Sequence, residues 1–169
     1  MSKTKKLVLS ALFLALGLLI PSIFHMSGLP GNVFLPMHIP VLLCGFILGE
    51  KYGALIGFVT PFLSSILTGM PPIYPVAVAM GFELATYGFI SGYLYKKIRV
   101  NLFVSLISAM LLGRIVSGAA NYILLTSMGK KYVLNMFITA SFVKCIWGII
   151  IQLIVIPFVV KMIEKYNLV

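Results

Sequence analysis

The sequence predicts an all-α polytopic membrane protein, a compact bundle of six transmembrane helices. Three observations predict it. First, 61% of the 169 residues are hydrophobic and only 9% are charged. A water-soluble domain of this length needs far more polar surface to cover its core. Second, the chain divides into about six apolar runs, near the roughly 17–25 residues that a spanning helix requires. Little is left over, so residues 1–169 read as a single transmembrane domain without a soluble one. Third, most basic residues sit in the breaks: Lys3, Lys5 and Lys6 before the first run, Lys96, Lys97 and Arg99 in one connection, Lys161 and Lys165 at the end. The net charge of +10 invites a nucleic-acid reading. Cations spread over alternate connections are instead topology signals, and no nucleic-acid partner is expected.

The first helix is expected over 7–24. Lys5 and Lys6 ahead of an apolar run resemble a signal peptide. No small-residue cleavage pattern follows Ile20, and the run continues through Pro21, Phe24 and His25, so the helix is read as retained. The stretch HMSGLPGNVFLPMH, rich in Gly and Pro, follows over 25–38. The second helix is short, 39–49. Glu50 and Lys51 turn the chain into the third, 52–68. The segment GMPPIYP over 69–75 breaks it again, because proline cannot continue a helix interior. The fourth helix is expected over 76–95 and the fifth over 102–126. The connection SMGKKYVLNMF leads to the sixth, 138–163.

With the N-terminus inside, the inner connections and termini carry Lys3, Lys5, Lys6, Lys51, Lys96, Lys97, Arg99, Lys161 and Lys165. The outer ones carry only Lys130 and Lys131. The positive-inside rule therefore puts both termini in the cytoplasm of a multi-pass protein of the cell membrane. The inner connections are then tight turns. The outer ones run to about fourteen, seven and eleven residues, lengths typical of binding loops and lids.

Three ionic side chains lie inside the apolar runs: Glu83, Arg114 and Lys144. A charge at the bilayer centre costs about 2.5–3.5 kcal/mol on insertion scales, so each needs a counter-charge, a wet cavity or a polar ligand. Glu83 lies roughly 12 Å down the fourth helix, with Tyr87 one turn deeper on the same face. Arg114 shares a face of the fifth helix with Ser117, Gly118 and Asn121. Lys144 lies near the outer end of the sixth, with Trp147 following at helical spacing. These side chains are expected to converge on a cavity open to the outside. Two cations against one anion suit a carboxylate-bearing ligand. The competing readings are a purely structural ion pair and a Lys144 that snorkels to the interface.

Small residues form two further patterns. Ala11 and Ala15, with Ser10 and Gly17 alongside, let another helix approach the first closely. Gly45, Gly49, Gly53 and Gly57 are expected to pack the second and third helices as a hairpin, and Gly81, Ala85, Gly88 and Gly92 form a similar series in the fourth. His25 and His38 flank the first outer loop, but two histidines without a third ligand do not make a metal site. Cys44 and Cys145 lack metal-ligand spacing and read as small apolar fillers. There is no aspartate, no GxxxxGK[ST] and no Ser-His-Asp or Cys-His arrangement. An enzyme is not expected, and neither is a catalytic residue, a metal or a cofactor bound by this chain.

Six spans in a chain this small, AxxxA on the first helix and long outer loops together resemble the substrate-binding S component of an energy-coupling factor (ECF) vitamin transporter. The stretch PMHIPVLLCGFILGEKYGALIGFVTPFLSSILTGMPP over 36–72 is similar to the family's second and third helices, and FELATYGFISGYLYKK over 82–97 to its fourth. The resemblance implies capture of a water-soluble vitamin at the outer face by helices 4 to 6 and the outer loops. It implies docking through Ala11 and Ala15 onto a transmembrane coupling protein that carries two cytoplasmic ATPase subunits, which hydrolyse the ATP. It also implies toppling of the subunit within the membrane lipid to release its cargo. Glu83, Tyr87, Arg114, Asn121, Lys144, Trp147 and His38 are then the candidate ligand contacts. The cationic excess puts pantothenate first, with folate, cobalamin and pyridoxine derivatives open. A stand-alone small-solute transporter or channel is the alternative, although no inverted internal repeat is visible.

Overall fold

A computed structural model describes residues 1–28 and 31–166. Within them every regular element is helical. In chain order they are α1 (Lys3–Met26), α2 (Gly31–Phe34), α3 (His38–Leu48), α4 (Glu50–Thr68), α5 (Val78–Gly92), α6 (Leu102–Ser127), α7 (Leu134–Ile138) and α8 (Ile146–Lys165). The chain enters α5 through a kink over Ile73–Ala77, where Tyr74 is extended (φ −120°, ψ 133°); single π-helical turns continue α5 (Tyr93–Lys97) and follow α7 (Thr139–Val143).

Local chemistry sets the helix ends. The Ser2 hydroxyl accepts from the Lys5 amide at 3.2 Å to start α1, and the Asn101 carbonyl oxygen accepts from Phe103 at 2.9 Å to start α6. Gly49 takes φ 96° and turns α3 directly into α4, and Gly69 takes φ 74° to end α4.

Four segments are long and apolar enough to cross a membrane: Lys3–Met26, Ile73–Lys97, Leu102–Ser127 and Ile146–Lys165. The expected all-helical bundle is present, but four such segments do not make the expected six spans; the second helix is short, as expected. α3 has 11 residues, or roughly 16 Å, about half the hydrocarbon thickness. The expected sixth helix is also divided. Its first part is α7 and the π turn; the chain then bends at Lys144 and Cys145 before α8. Hydropathy runs unbroken through that bend, so periodicity alone did not reveal it.

The core forms around α5, which packs on α3, α4 and α6. Its fit depends on glycine. A Cβ on Gly88 would overlap the Gly53 carbonyl of α4, and one on Gly45 of α3 would sit 2.5 Å from the Gly88 carbonyl. The glycine series expected to zip α3 to α4 thus draws α5 in as a third partner. α1 turns Ser10, Phe13 and Gly17 inward and leaves Ala11 and Ala15 exposed.

The two ends of the bundle differ. At one, Lys96 donates to the Ile47 carbonyl, the Tyr95 hydroxyl donates to Glu164 at 2.6 Å and Lys6 lies 5.8 Å from the Tyr52 ring. These contacts gather the starts of α1 and α4 and the ends of α3, the α5 extension and α8, where most cations lie. At the other end the Tyr74 hydroxyl meets the Ser127 hydroxyl at 2.8 Å, and Ser64 and Ser65 donate to the Met70 and Pro71 carbonyls at 2.8 and 2.5 Å.

Candidate functional site

A cavity of about 920 Å³ opens at the end of the bundle away from the lysine cluster. The end of α1, the following loop, the start of α3, the end of α4, the start of α5, the middle of α6 and the bend before α8 all contribute to its wall. Most of the wall is apolar, including Met26, Met37, Met70 and Met80. Leu29 and Pro30 of the first long loop, expected to act as a lid, lie outside the described residues.

The polar part is built on three helices. Glu83 faces inward on α5 and is 5% exposed. Arg114 reaches it from α6, Nη1 to Oε1 at 2.9 Å, and is 7% exposed. His38, the first residue of α3, comes to the same oxygen through Nε2 at 3.4 Å. Both partners can donate to that oxygen, so the carboxylate is held from two sides. The Nη2 of Arg114 and the Nδ1 of His38 have no hydrogen-bond partner among the described residues.

Around this triad the candidate residues separate. Asn121 lies two turns above Arg114 on α6 and donates to the Ser117 carbonyl at 2.8 Å; Asn121 and Ser117 both line the cavity. Lys144 lines it from the bend, exposed and without an ion-pair partner among the described residues. Glu83, Arg114 and Lys144 therefore meet at one cavity. Arg114 takes the carboxylate, and Lys144 stays uncommitted.

Tyr87 and Trp147 are placed elsewhere. Tyr87 is fully buried beneath the floor, its ring against Gly113 of α6 and 5.3 Å from the His38 ring. It supports His38 and is not among the residues lining the cavity. Trp147 is 59% exposed and does not line it either. The bend at Lys144 and Cys145 sets the orientation of α8 separately from that of α7, so the helical spacing assumed for Lys144 and Trp147 does not hold.

Sequence reasoning missed Cys145, treated as a filler, which lines the cavity and donates its thiol to the Ala140 carbonyl at 2.9 Å. It also missed the serines and methionines of the wall, because nothing in their spacing separates them from ordinary span residues. Among the described residues no cluster of three His, Cys, Asp or Glu side chains could hold a metal.

A second, smaller hollow of about 380 Å³ lies between the end of α6 and α7, and shares Ala140 and Lys144 with the main cavity. Burial pushes the hydroxyl of Tyr132 in its wall above the usual tyrosine range, and the Glu83 carboxylate acts in the same direction.

The family model described as the ECF transporter, substrate-specific component, matches residues 5–160. No curated protein and no solved structure matches the chain.

Proposed function

The chain belongs to the substrate-specific components of ECF transporters, and on that premise we propose that its cavity captures a water-soluble vitamin bearing a carboxylate, with pantothenate first. The observation that carries this reading is the charge balance: Arg114 and Lys144 stand against Glu83 alone in one cavity. An anionic group restores neutrality there, and in a site of low dielectric that preference is strong. The volume of about 920 Å³ falls in the usual range for small-molecule sites. The apolar wall suits the body of the vitamin, and Asn121 and Ser117 supply hydrogen bonds near its rim. Glu83 and His38 hold the guanidinium of Arg114 in place for the ligand.

The rest of the transport cycle is proposed on the same premise. α1, α3, α4, α5, α6 and α7–α8 are the six membrane-embedded segments, with both termini in the cytoplasm. Ala11 and Ala15 are exposed on α1, available to a transmembrane coupling protein. That protein carries two ATPase subunits, which hydrolyse ATP; this chain binds no cofactor and performs no chemistry.

The test is equilibrium binding of the detergent-purified chain, without partners, to a vitamin panel of pantothenate, folate, cobalamin and pyridoxine derivatives. Tight binding of pantothenate without turnover is expected. Binding of a neutral compound alone would overturn the anionic reading.

A further inference from the structure

The hollow between α6 and α7 meets the site described above only at Ala140 and Lys144. It is also lined by Leu125, Tyr132, Asn135, Met136 and Thr139. The outer connection's two cations, Lys130 and Lys131, do not line it but lie beside residues that do. The Lys130 amide donates to the Leu125 carbonyl at 3.0 Å, which pins that residue to the wall, and Lys131 precedes Tyr132. Both lysines are exposed.

The charge distribution at this end is one-sided. The chain has three acidic residues. Glu50 and Glu164 lie at the opposite end, next to the lysine cluster, and Glu83 is held by Arg114. Lys130, Lys131 and Lys144 thus form a run of uncompensated cations from the rim to the boundary of the main cavity, with Arg114 beyond. A cleft of one charge sign with low-dielectric walls focuses the field and raises the arrival rate of counter-charged solutes by roughly 10- to 1,000-fold.

We propose that this hollow is the access route for an anionic solute, with Lys130 and Lys131 collecting it at the rim and Lys144 passing it to Arg114. The inference rests on the reading that the cargo is anionic. Lys144 is the hinge of the route because it lines both spaces, is exposed and carries its charge on a long, flexible stem. Tyr132, Asn135 and Thr139 offer hydrogen bonds along the way, between the apolar side chains of Leu125 and Met136.

The route is tested without knowing the cargo. In a background carrying Cys44→Ala and Cys145→Ala, Ala140→Cys places one thiol where the two spaces meet. Its modification rate is measured with an anionic sulfonatoethyl and a cationic trimethylammonium-ethyl methanethiosulfonate, each normalised to a free thiol. A preference of about tenfold or more for the anion is expected. Lys130→Gln with Lys131→Gln should reduce it several-fold, and about 0.5 M salt should largely abolish it. Lys51→Gln, at the opposite end, should leave it unchanged. Equal rates for the two reagents, or a preference indifferent to Lys130 and Lys131, would overturn the route.

A second arm separates the route from the cargo. Association and dissociation of pantothenate are followed in the Lys130→Gln/Lys131→Gln chain, with slower association and unchanged dissociation expected. Thiol rates as expected with no pantothenate binding would refute the cargo and keep the route. Pantothenate binding with unselective thiol rates would do the reverse.

Discussion

Glu83 and Arg114 form an ion pair within the membrane bundle, and substituting them separates stability from binding. Glu83→Gln removes the counter-charge of Arg114, a residue only 7% exposed; Arg114→Met leaves the carboxylate without its full counter-charge, with His38 at 3.4 Å. Breaking one side of a buried pair costs about 3–5 kcal/mol, because the surviving charge stays buried without compensation. Removing both charges leaves groups of similar volume and no stranded ion, so the double variant should fall far short of the sum of the singles. The expected coupling is about 3 kcal/mol or more. Unfolding of the purified chain in mixed micelles gives the three values. Binding should divide differently. Arg114→Met, alone or in the pair, should weaken pantothenate by about ten- to hundredfold, equivalent to about 1.5–3 kcal/mol for a lost hydrogen bond to a charge. Glu83→Gln should hold that affinity or raise it, since the guanidinium is no longer neutralised. Additive stabilities would refute the pair. An affinity loss in Glu83→Gln equal to that in Arg114→Met would refute the assignment of Arg114 as the anion's partner.

Three further outcomes are expected. Gly88→Val should destabilise the bundle by more than the about 1–3 kcal/mol usual for overpacking, because the added carbons meet the Gly53 backbone and not a mobile side chain; Gly31→Ala, with open space around it, should be silent in the same unfolding assay. Ala11→Leu with Ala15→Leu should leave unfolding and vitamin binding unchanged, since both sites are exposed, while ATP-driven uptake into vesicles with the complete transporter falls to background; intact uptake would remove α1 as the docking face. Gln152 is fully buried with neither amide atom hydrogen-bonded, so Gln152→Leu should stabilise the chain by about 1–3 kcal/mol, and a destabilised variant would reveal a partner such as a buried water.

Much of the architecture was legible in the residues. An apolar chain broken by proline, glycine and lysine clusters has few ways to satisfy its backbone in lipid other than helices. The helix starts at Lys3, His38, Glu50 and Leu102 fall within about four residues of the expected positions. The exposure of Ala11 and Ala15 agrees with a free face on α1, and the inward face of Ser10 and Gly17 shows that only part of that small-residue cluster is available. The bend before α8 was not legible. Residues on both sides are mostly apolar, and the close approach of Gly148 just beyond it to the Val33 and Phe34 carbonyls of α2 is a tertiary contact that no local pattern announces.

The sequence by itself determined that three charges lie where charges are costly, that they need partners, and that cations outnumber anions among them. Those conclusions depend on composition and on transfer energies, which are local properties of each residue. Only the tertiary structure decided which charges meet. It put His38, 45 positions away, on the same carboxylate oxygen as Arg114, left Lys144 uncommitted at the boundary of two cavities, and turned Trp147 outward. Pairing of this kind follows from how closely α3, α4 and α5 approach at Gly45, Gly53 and Gly88. Such an approach is a property of three surfaces in contact and is written in no single segment of the chain.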